Sequence, residues 1–367
     1  MICEFNPFHN GHKFLLENIK KNYGDDIVCI MSGNFVQRGD IAITDKYERA
    51  RAALENGADM VVELPTVYAL SSAQIFAENG VHIAAAMNCD TLFFGAENTI
   101  SDLKEVTGLL ENKLVNDKIR AAMKSGQYYP KALSLALGEK HADVINQPNN
   151  ILALEYIKAC AKYGVLPIAI PRKGPNHDED AIVNGIASAS KIRELIEDGE
   201  TYKMLTPMEI SDPCNIKSIE AAVLYRLKTI TPEELANIAD VSEGIEYRII
   251  EAAKEYNSLS EIYDAVKTKR YTMARIRRII LSAFLNITAE IQNSPVPYLR
   301  ILGIRSGLEG VLRGAKLPLI VKTKADYEQL NSSAKEIFNV DLRAAEAMNI
   351  ARATQPINEF TQGVIKC

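Results

Sequence analysis

Over its first two hundred residues the chain alternates between short apolar runs and longer stretches of helical periodicity. Runs rich in β-branched residues occur at Ile27–Met31, Met60–Leu64, Thr91–Phe94 and Val165–Ile170, with a truncated fifth at Ile2–Phe5. Between them, apolar residues recur at helical spacing over 13–21, 46–56, 71–86 and 151–163. Such alternation predicts a parallel sheet wrapped by helices. Ligands of these sheets sit beyond the carboxyl ends of the strands, where the strand-to-helix loops gather. The first strand is short against the usual five or six residues. Only about four residues precede Asn6-Pro7, so either the chain begins late or a few leading residues are absent.

Beyond Asp212-Pro213 the pattern changes. Residues 218–287 are helical in periodicity throughout, with acidic first turns such as Thr231-Pro232-Glu233-Glu234. Pro295, Pro297, Gly303, Gly307 and Gly310 then predict loops, and a short mixed segment from Leu317 onward closes the chain. The expectation is an α/β domain over residues 1–212 and a mostly α-helical domain over 213–367. No internal repeat or low-complexity tract interrupts either part.

Composition changes this picture little. A chain of 367 residues, 47% hydrophobic and 24% charged, is an ordinary globular protein of two or three domains. No run approaches the ~20 apolar residues of a membrane helix. The start MICEFNP has neither a basic flank nor an apolar signal core, which predicts a cytoplasmic protein without a membrane association. Cys3, Cys29, Cys89, Cys160, Cys214 and Cys367 are too scattered for a disulfide framework or a zinc ribbon, and read as small buried hydrophobes.

Charge changes it more. The net charge of -5 hides a segment, residues 266–324, with twelve Lys/Arg against only Glu290 and Glu309. A basic surface on an acidic body suits a polyanion. A solvated helical face neutralised by neighbours in the fold explains the same count.

Two constellations carry candidate chemistry. The first, Phe5-Asn6-Pro7-Phe8-His9-Asn10-Gly11-His12, follows the first strand and opens a helix containing Phe14, Leu15, Leu16 and Ile19. A helix N-terminus presents unpaired N–H groups and partial positive charge, which suits a triphosphate. Imidazoles at His9 and His12 share the first turn and can donate to oxygens that gain charge at an attacked phosphorus. Gly11 lets a nucleotide approach the backbone. The competing reading is an Asn-Gly turn with two surface histidines. The second constellation is Ser188-Ala189-Ser190-Lys191-Ile192-Arg193, in which hydroxyls and N–H groups hold phosphate while Arg193 neutralises it; plain N-capping serines are the alternative. Gly95 after TLFF, Asn149 and Asn150 before a helix, and Arg172 and Lys173 after VLPIAIP stand on the same loop edge. The polar loop 32–40 reads as a substrate-side loop or a structural turn. In the basic segment, Lys267, Lys269, Arg270, Arg275, Arg277 and Arg278 face outward in this reading, with Ile276, Ile279, Ile280 and Phe284 inward and Tyr271 available for stacking.

The strings FNPFHNGH, SGNFVQRGD, DKYERARAALENGADMVVELP, FGAE, PNNILALEYIKA, IPRKG and SASKIR resemble the tRNA(Met) cytidine acetate ligase family, of the HIGH-type nucleotidyltransferase-like proteins. The resemblance spans the α/β part and is looser beyond it. It implies a Rossmann-like parallel sheet of the HIGH-type nucleotidyltransferase kind followed by a mostly α-helical domain. It implies that ATP and acetate give acetyl-adenylate and pyrophosphate, and that the acetyl group passes to the wobble cytidine of elongator tRNA(Met) as 4-acetylcytidine. His9 and His12 are then the catalytic pair. ATP contacts fall on Ile2, Cys3, Glu4, Phe5, Asn6, Pro7, Phe8, His9, Asn10, Gly11, His12, Lys13, Phe14 and Leu15, with Gly95, Asn149 and Arg172. Ser188, Ser190 and Arg193 match the second phosphate motif, and Mg2+ is expected with the ATP. The short first strand departs from the family pattern and bears on the contacts of the first few residues.

Two other functions fit parts of the pattern. A small-molecule adenylyltransferase accounts for both phosphate motifs but not for the basic segment. A non-catalytic RNA-binding protein with a degenerate nucleotide fold accounts for the basic segment but not for intact His9, Gly11 and His12.

Overall fold

The computed structural model describes residues 1–24, 26–127, 129–138, 141, 144–145, 147–171 and 182–367. Its strands are β1 (Ile2–Cys3), β2 (Val28–Ser32), β3 (Phe35–Val36), β4 (Asp40–Ile41), β5 (Met60–Leu64), β6 (Thr91–Ala96), β7 (Leu166–Pro171), β8 (Leu299–Ile304), β9 (Leu319–Ile320) and β10 (Ile365–Lys366). The main sheet runs β1-β2-β5-β8-β10, with β9 on the far part of β8. β1, β2 and β5 pair in parallel. Every residue of β5 is buried, as a strand covered on both faces requires. β6 and β7 form a separate parallel pair beside β1, and β3 and β4 form a small antiparallel hairpin.

The helices follow their capping chemistry. Asp45 starts Lys46–Glu55 by accepting from Tyr47 N at 2.8 Å and Glu48 N at 3.1 Å, and Gly24 ends Asn10–Tyr23 with φ 71°. Residues 218–287 are helical as expected, through Glu220–Thr229, Ile245–Glu255, Leu259–Val266 and Met273–Leu285. Cys3, Cys29, Cys160 and Cys214 are buried thiols.

The segment read as loops after Pro295 holds a central strand instead. β8 lies antiparallel to β5 within the main sheet, and β10 joins β8 from the end of the chain. Gly303 made the run look broken, but the sheet needs it. A Cβ there would stand 2.5 Å from the Leu54 side chain, so the glycine lets helix Lys46–Glu55 lie against the strand. Residues after 213 are therefore built into the sheet begun by residues before 212, and one core cluster runs from Ile2 and Val62 to Ile276 and Phe338.

Between β5 and β8 lies a buried ionic cluster. Lys46 Nζ is 2.8 Å from Glu63 and 2.9 Å from Glu359, while Arg300 pairs with Glu63 at 3.2 Å and also with Glu359. The Tyr47 hydroxyl donates to Glu359 at 3.0 Å. Burial alone would raise the Glu359 carboxyl, but Lys46 and Arg300 outweigh it and hold the group at about 2. Paired with one another and with the Tyr47 hydroxyl, these ions fix the C-terminal strands on the sheet.

Arg300→Met leaves two buried carboxylates short of a cation and should cost about 3–5 kcal/mol in urea unfolding. Glu359 titrates below an unfolded glutamate, so its stabilisation is complete above pH of about 4.3 and is lost as pH falls toward its folded value. The stability gap between the wild type and Glu359→Gln should therefore narrow as pH drops through that window.

Candidate active site

After β1 the chain turns through Phe5, at φ 48°, and a cis Asn6-Pro7 bond, and delivers His9 in extended conformation to the start of helix Asn10–Tyr23. His9 and His12 cap this helix reciprocally. Gly11 N donates to His9 Nδ1 at 3.0 Å, and His9 N donates to His12 Nδ1 at 3.2 Å. This is a capping box in which imidazoles replace the usual Ser/Thr and Glu. The rings stack with centroids 3.7 Å apart, and Phe5 meets His12 edge-on at 4.9 Å. Because both Nδ1 atoms accept, a neutral ring carries its hydrogen on Nε2, so each imidazole has its N–H on the edge away from the helix cap.

Gly11 serves the histidines rather than the ligand directly. A Cβ there would lie 2.9 Å from His9 Cε1 and 3.0 Å from Nδ1, in the space the stacked ring occupies.

The second constellation reaches the first. Arg193 Nη1 donates to Asn6 O at 2.6 Å and Nη2 to Ser190 Oγ at 3.3 Å. Ser188 Oγ accepts from Lys191 N at 3.1 Å, so it caps helix Ala189–Glu197 as the plain reading held. Beneath them Arg49, fully buried, donates to the carbonyls of Glu4 at 2.6 Å, Ser32 at 3.2 Å and Thr44 at 3.1 Å. It ties the exits of β1 and β2 together. Arg49 was not a sequence candidate; its signal was a lone arginine on the apolar face of an amphipathic helix.

These elements enclose a cavity of about 650 Å³, within the usual range for a ligand site. Of the expected ATP contacts, Ile2, Cys3, Glu4, Phe5, Asn6, His9, Gly11, His12, Phe14 and Leu15 line it, as do Gly95, Asn149, Ser188, Ser190 and Arg193. Pro7, Phe8, Asn10 and Lys13 do not. Phe8 is core, and the Asn10 amide is spent on Gly185 O at 2.9 Å and Met204 O at 2.8 Å. Gly95 lies within β6, opposite Ile170 on β7, rather than after the strand. Asn149 and Asn150 sit in the first turn of helix Pro148–Tyr163. Asn150 accepts from Glu97 N at 3.1 Å and latches the β6 exit. Arg172 and Lys173 lie outside the described residues.

The polar loop 32–40 contributes Gln37, Arg38 and Asp40 to the cavity. Glu4 accepts from Gln37 N at 2.6 Å. Burial raises the carboxyls of Glu4 and Asp40, against a downward pull from Arg193 on both.

The outward basic helix requires correction. The helix starts at Met273, capped by Thr272, so Lys267, Lys269 and Arg270 stand on the exposed turn before it. Tyr271 is 5% exposed and donates to Glu243 O at 3.0 Å, so it offers no stacking face. Arg275 and Arg278 both pair with Asp240, at 3.3 and 3.1 Å. Arg277 and Arg278 turn inward and line the same cavity as His9 and His12. Arg300 is buried, and Arg305 pairs with Asp59 at 2.8 Å. Much of the local excess of charge is thus neutralised inside the fold.

Comparison with known proteins decides the lineage. Residues 1–362 match the family profile described as HIGH Nucleotidyl Transferase. The chain is 36% identical, over its full length and 98% of the relative's, to the tRNA(Met) cytidine acetate ligase of Thermoanaerobacter sp. strain X514. It is 37% identical to that of Pediococcus pentosaceus, covering 91% of this chain and 90% of the relative. The chain belongs to the tRNA(Met) cytidine acetate ligase family. Its fold matches that of Thermotoga maritima TmcAL bound with alpha-thio ATP at a TM-score of 0.90 and 26% identity, covering 100% of this chain and 98% of the other. That protein holds an ATP analogue on the fold this chain shares.

Gly11→Ala sets fold and site against each other. Alanine gains up to ~1 kcal/mol of helix propensity but pushes aside the His9 cap, a loss of about the same size, so the thermal midpoint should change little. The displaced His9 ring should nevertheless weaken ATP binding, measured by calorimetry, by tenfold or so, on the order of one lost charge-assisted contact.

Proposed function

We propose that this chain activates acetate with ATP and transfers the acetyl group to the wobble cytidine of elongator tRNA(Met). The observation that carries the reading is that His9, His12 and Arg193 line one cavity in a chain of this ligase family. ATP use also fits the analogue bound by the Thermotoga maritima relative.

In the first step an acetate oxygen attacks the α-phosphorus in line, the bond to the bridging oxygen breaks, and pyrophosphate leaves with the electron pair. Such a displacement needs positioning and charge stabilisation more than a protein nucleophile. The Nε2–H donors of His9 and His12 stabilise the oxygens that gain charge, and their shared capping box means that the rings need little reorganisation. The Gly11 and His12 region adds the positive end of the helix dipole. In the second step the cytidine N4 amine attacks the acetyl carbonyl carbon. AMP leaves, and N4 loses a proton.

Magnesium enters as the magnesium salt of ATP, part of the substrate. Among the described residues no group of three or more metal-ligating side chains converges. The tRNA meets the exposed cations Lys267, Lys269 and Arg270 as a backbone contact. No helix among the described residues is long and apolar enough to cross a membrane. A cytoplasmic site of action, where tRNA is available, accords with the reading.

Exchange of labelled pyrophosphate into ATP should depend on acetate, and added tRNA(Met) should yield 4-acetylcytidine on nucleoside analysis. Exchange without acetate would favour a small-molecule adenylyltransferase, and none at all a non-catalytic RNA binder. His12→Ala should lower exchange by about 100-fold or more while leaving tRNA affinity in place. Changing Lys267, Lys269 and Arg270 together to Ala should do the reverse, flattening the salt dependence of tRNA binding by roughly two to three counterions.

A further inference from the structure

The loop that carries Gln37, Arg38 and Asp40 comes against helix Met273–Leu285 most tightly at Gly39. Its φ is 79°, and a Cβ there would fall 2.6 Å from Arg277 Cβ and 2.8 Å from Arg278 N. Backbone conformation and contact both demand glycine. The outcome of this close approach is that Arg277, from the C-terminal half of the sequence, enters the wall of the cavity built by His9, His12 and Arg193.

Arg277 differs from its neighbours there. Arg275 and Arg278 are committed to Asp240. Among the described residues Arg277 forms no salt bridge; its Nε, like that of Arg278, is buried without a hydrogen-bond partner, but Arg278 has Asp240 to neutralise it and Arg277 has no such pair. Its guanidinium is braced 5.4 Å from the centre of the Tyr263 ring. A half-buried cation held in place with a buried N–H left unbonded is suited to an anionic oxygen, the ligand that completes it best. Arg193 and Arg277 both act on Asp40, so the three groups share one electrostatic neighbourhood.

The chemistry calls for such a group. Adenylation brings a carboxylate against a triphosphate, an approach of like charges that a cation held in the cavity wall without an ion-pair partner is suited to ease. The exposed cations at Lys267, Lys269 and Arg270 are better placed for a large polyanion than a half-buried guanidinium inside a cavity.

We propose that Arg277 is a substrate-binding cation of the adenylation half-reaction, taking an anionic oxygen of ATP or of the carboxylic acid, and that Gly39 is the positioning residue that docks its helix. The proposal rests on the adenylation reading above.

The test is acetate-dependent pyrophosphate exchange in the absence of tRNA, with tRNA affinity and thermal unfolding measured alongside. Arg277→Ala should lose about 100-fold or more in kcat/KM for exchange, with tRNA affinity within about threefold, and Arg277→Lys should restore part. A rise confined to the KM for acetate identifies the carboxylate as the anion held; a rise confined to that for ATP identifies the phosphate. Gly39→Ala should lower exchange on its own but add little in the Arg277→Ala background, because both act through one guanidinium. Exchange within twofold of wild type for Arg277→Ala, or full additivity of the two changes, would overturn the assignment. Exchange intact with tRNA affinity lost would return Arg277 to the tRNA surface. A wild type without acetate-dependent exchange removes the ligase reading itself, a result separable from a wild type and Arg277→Ala that exchange equally.

Discussion

Reciprocal capping of one helix by His9 and His12 is the constraint around which the site is arranged. The bonds to Gly11 N and from His9 N satisfy helix-end donors that would otherwise be orphaned. The same two bonds fix both tautomers, hold the rings in a stack, and exclude any side chain at position 11. Helix start, ring orientation and donor placement are thus a single structural event. A site assembled this way is formed before substrate arrives, which is the condition for electrostatic stabilisation to be effective.

The rest of the molecule holds that turn in place from two directions. Arg49 and Arg193 reach the carbonyls of Glu4 and Asn6, on the segment that leads into it. The ionic cluster of Lys46, Glu63, Arg300 and Glu359 locks β8 and the C-terminal segment to the sheet that carries β1 and β2. Because the second half of the sequence is built into that sheet, helix Met273–Leu285 is a fixed neighbour of the cavity, and its arginines have a defined address.

Much of this was legible in the sequence, for identifiable reasons. Short apolar runs such as MVVEL read as strands, and HNGH between a strand and an amphipathic helix read as a phosphate-handling turn, with a plain Asn-Gly turn as the alternative. What was not legible depended on contacts between distant segments. Gly303 reads as a loop residue until Leu54 is seen packed against it. Arg278 reads as a surface cation until Asp240 is seen 3.1 Å away. Asn10 sits inside the motif yet faces Gly185 and Met204 rather than the cavity. Periodicity gives the face of a helix relative to its own axis, but which face meets the site is set by tertiary docking, here through Gly39.

In the proposed reaction an acetate oxygen becomes bonded to the α-phosphorus between these two histidines. Running the full reaction with acetate labelled in both oxygens with oxygen-18, and analysing the AMP formed, tests that bond directly. One labelled oxygen in the phosphate of AMP, transferred with every acetyl group delivered to tRNA, is the expected result. Unlabelled AMP, or label in the pyrophosphate, would contradict it.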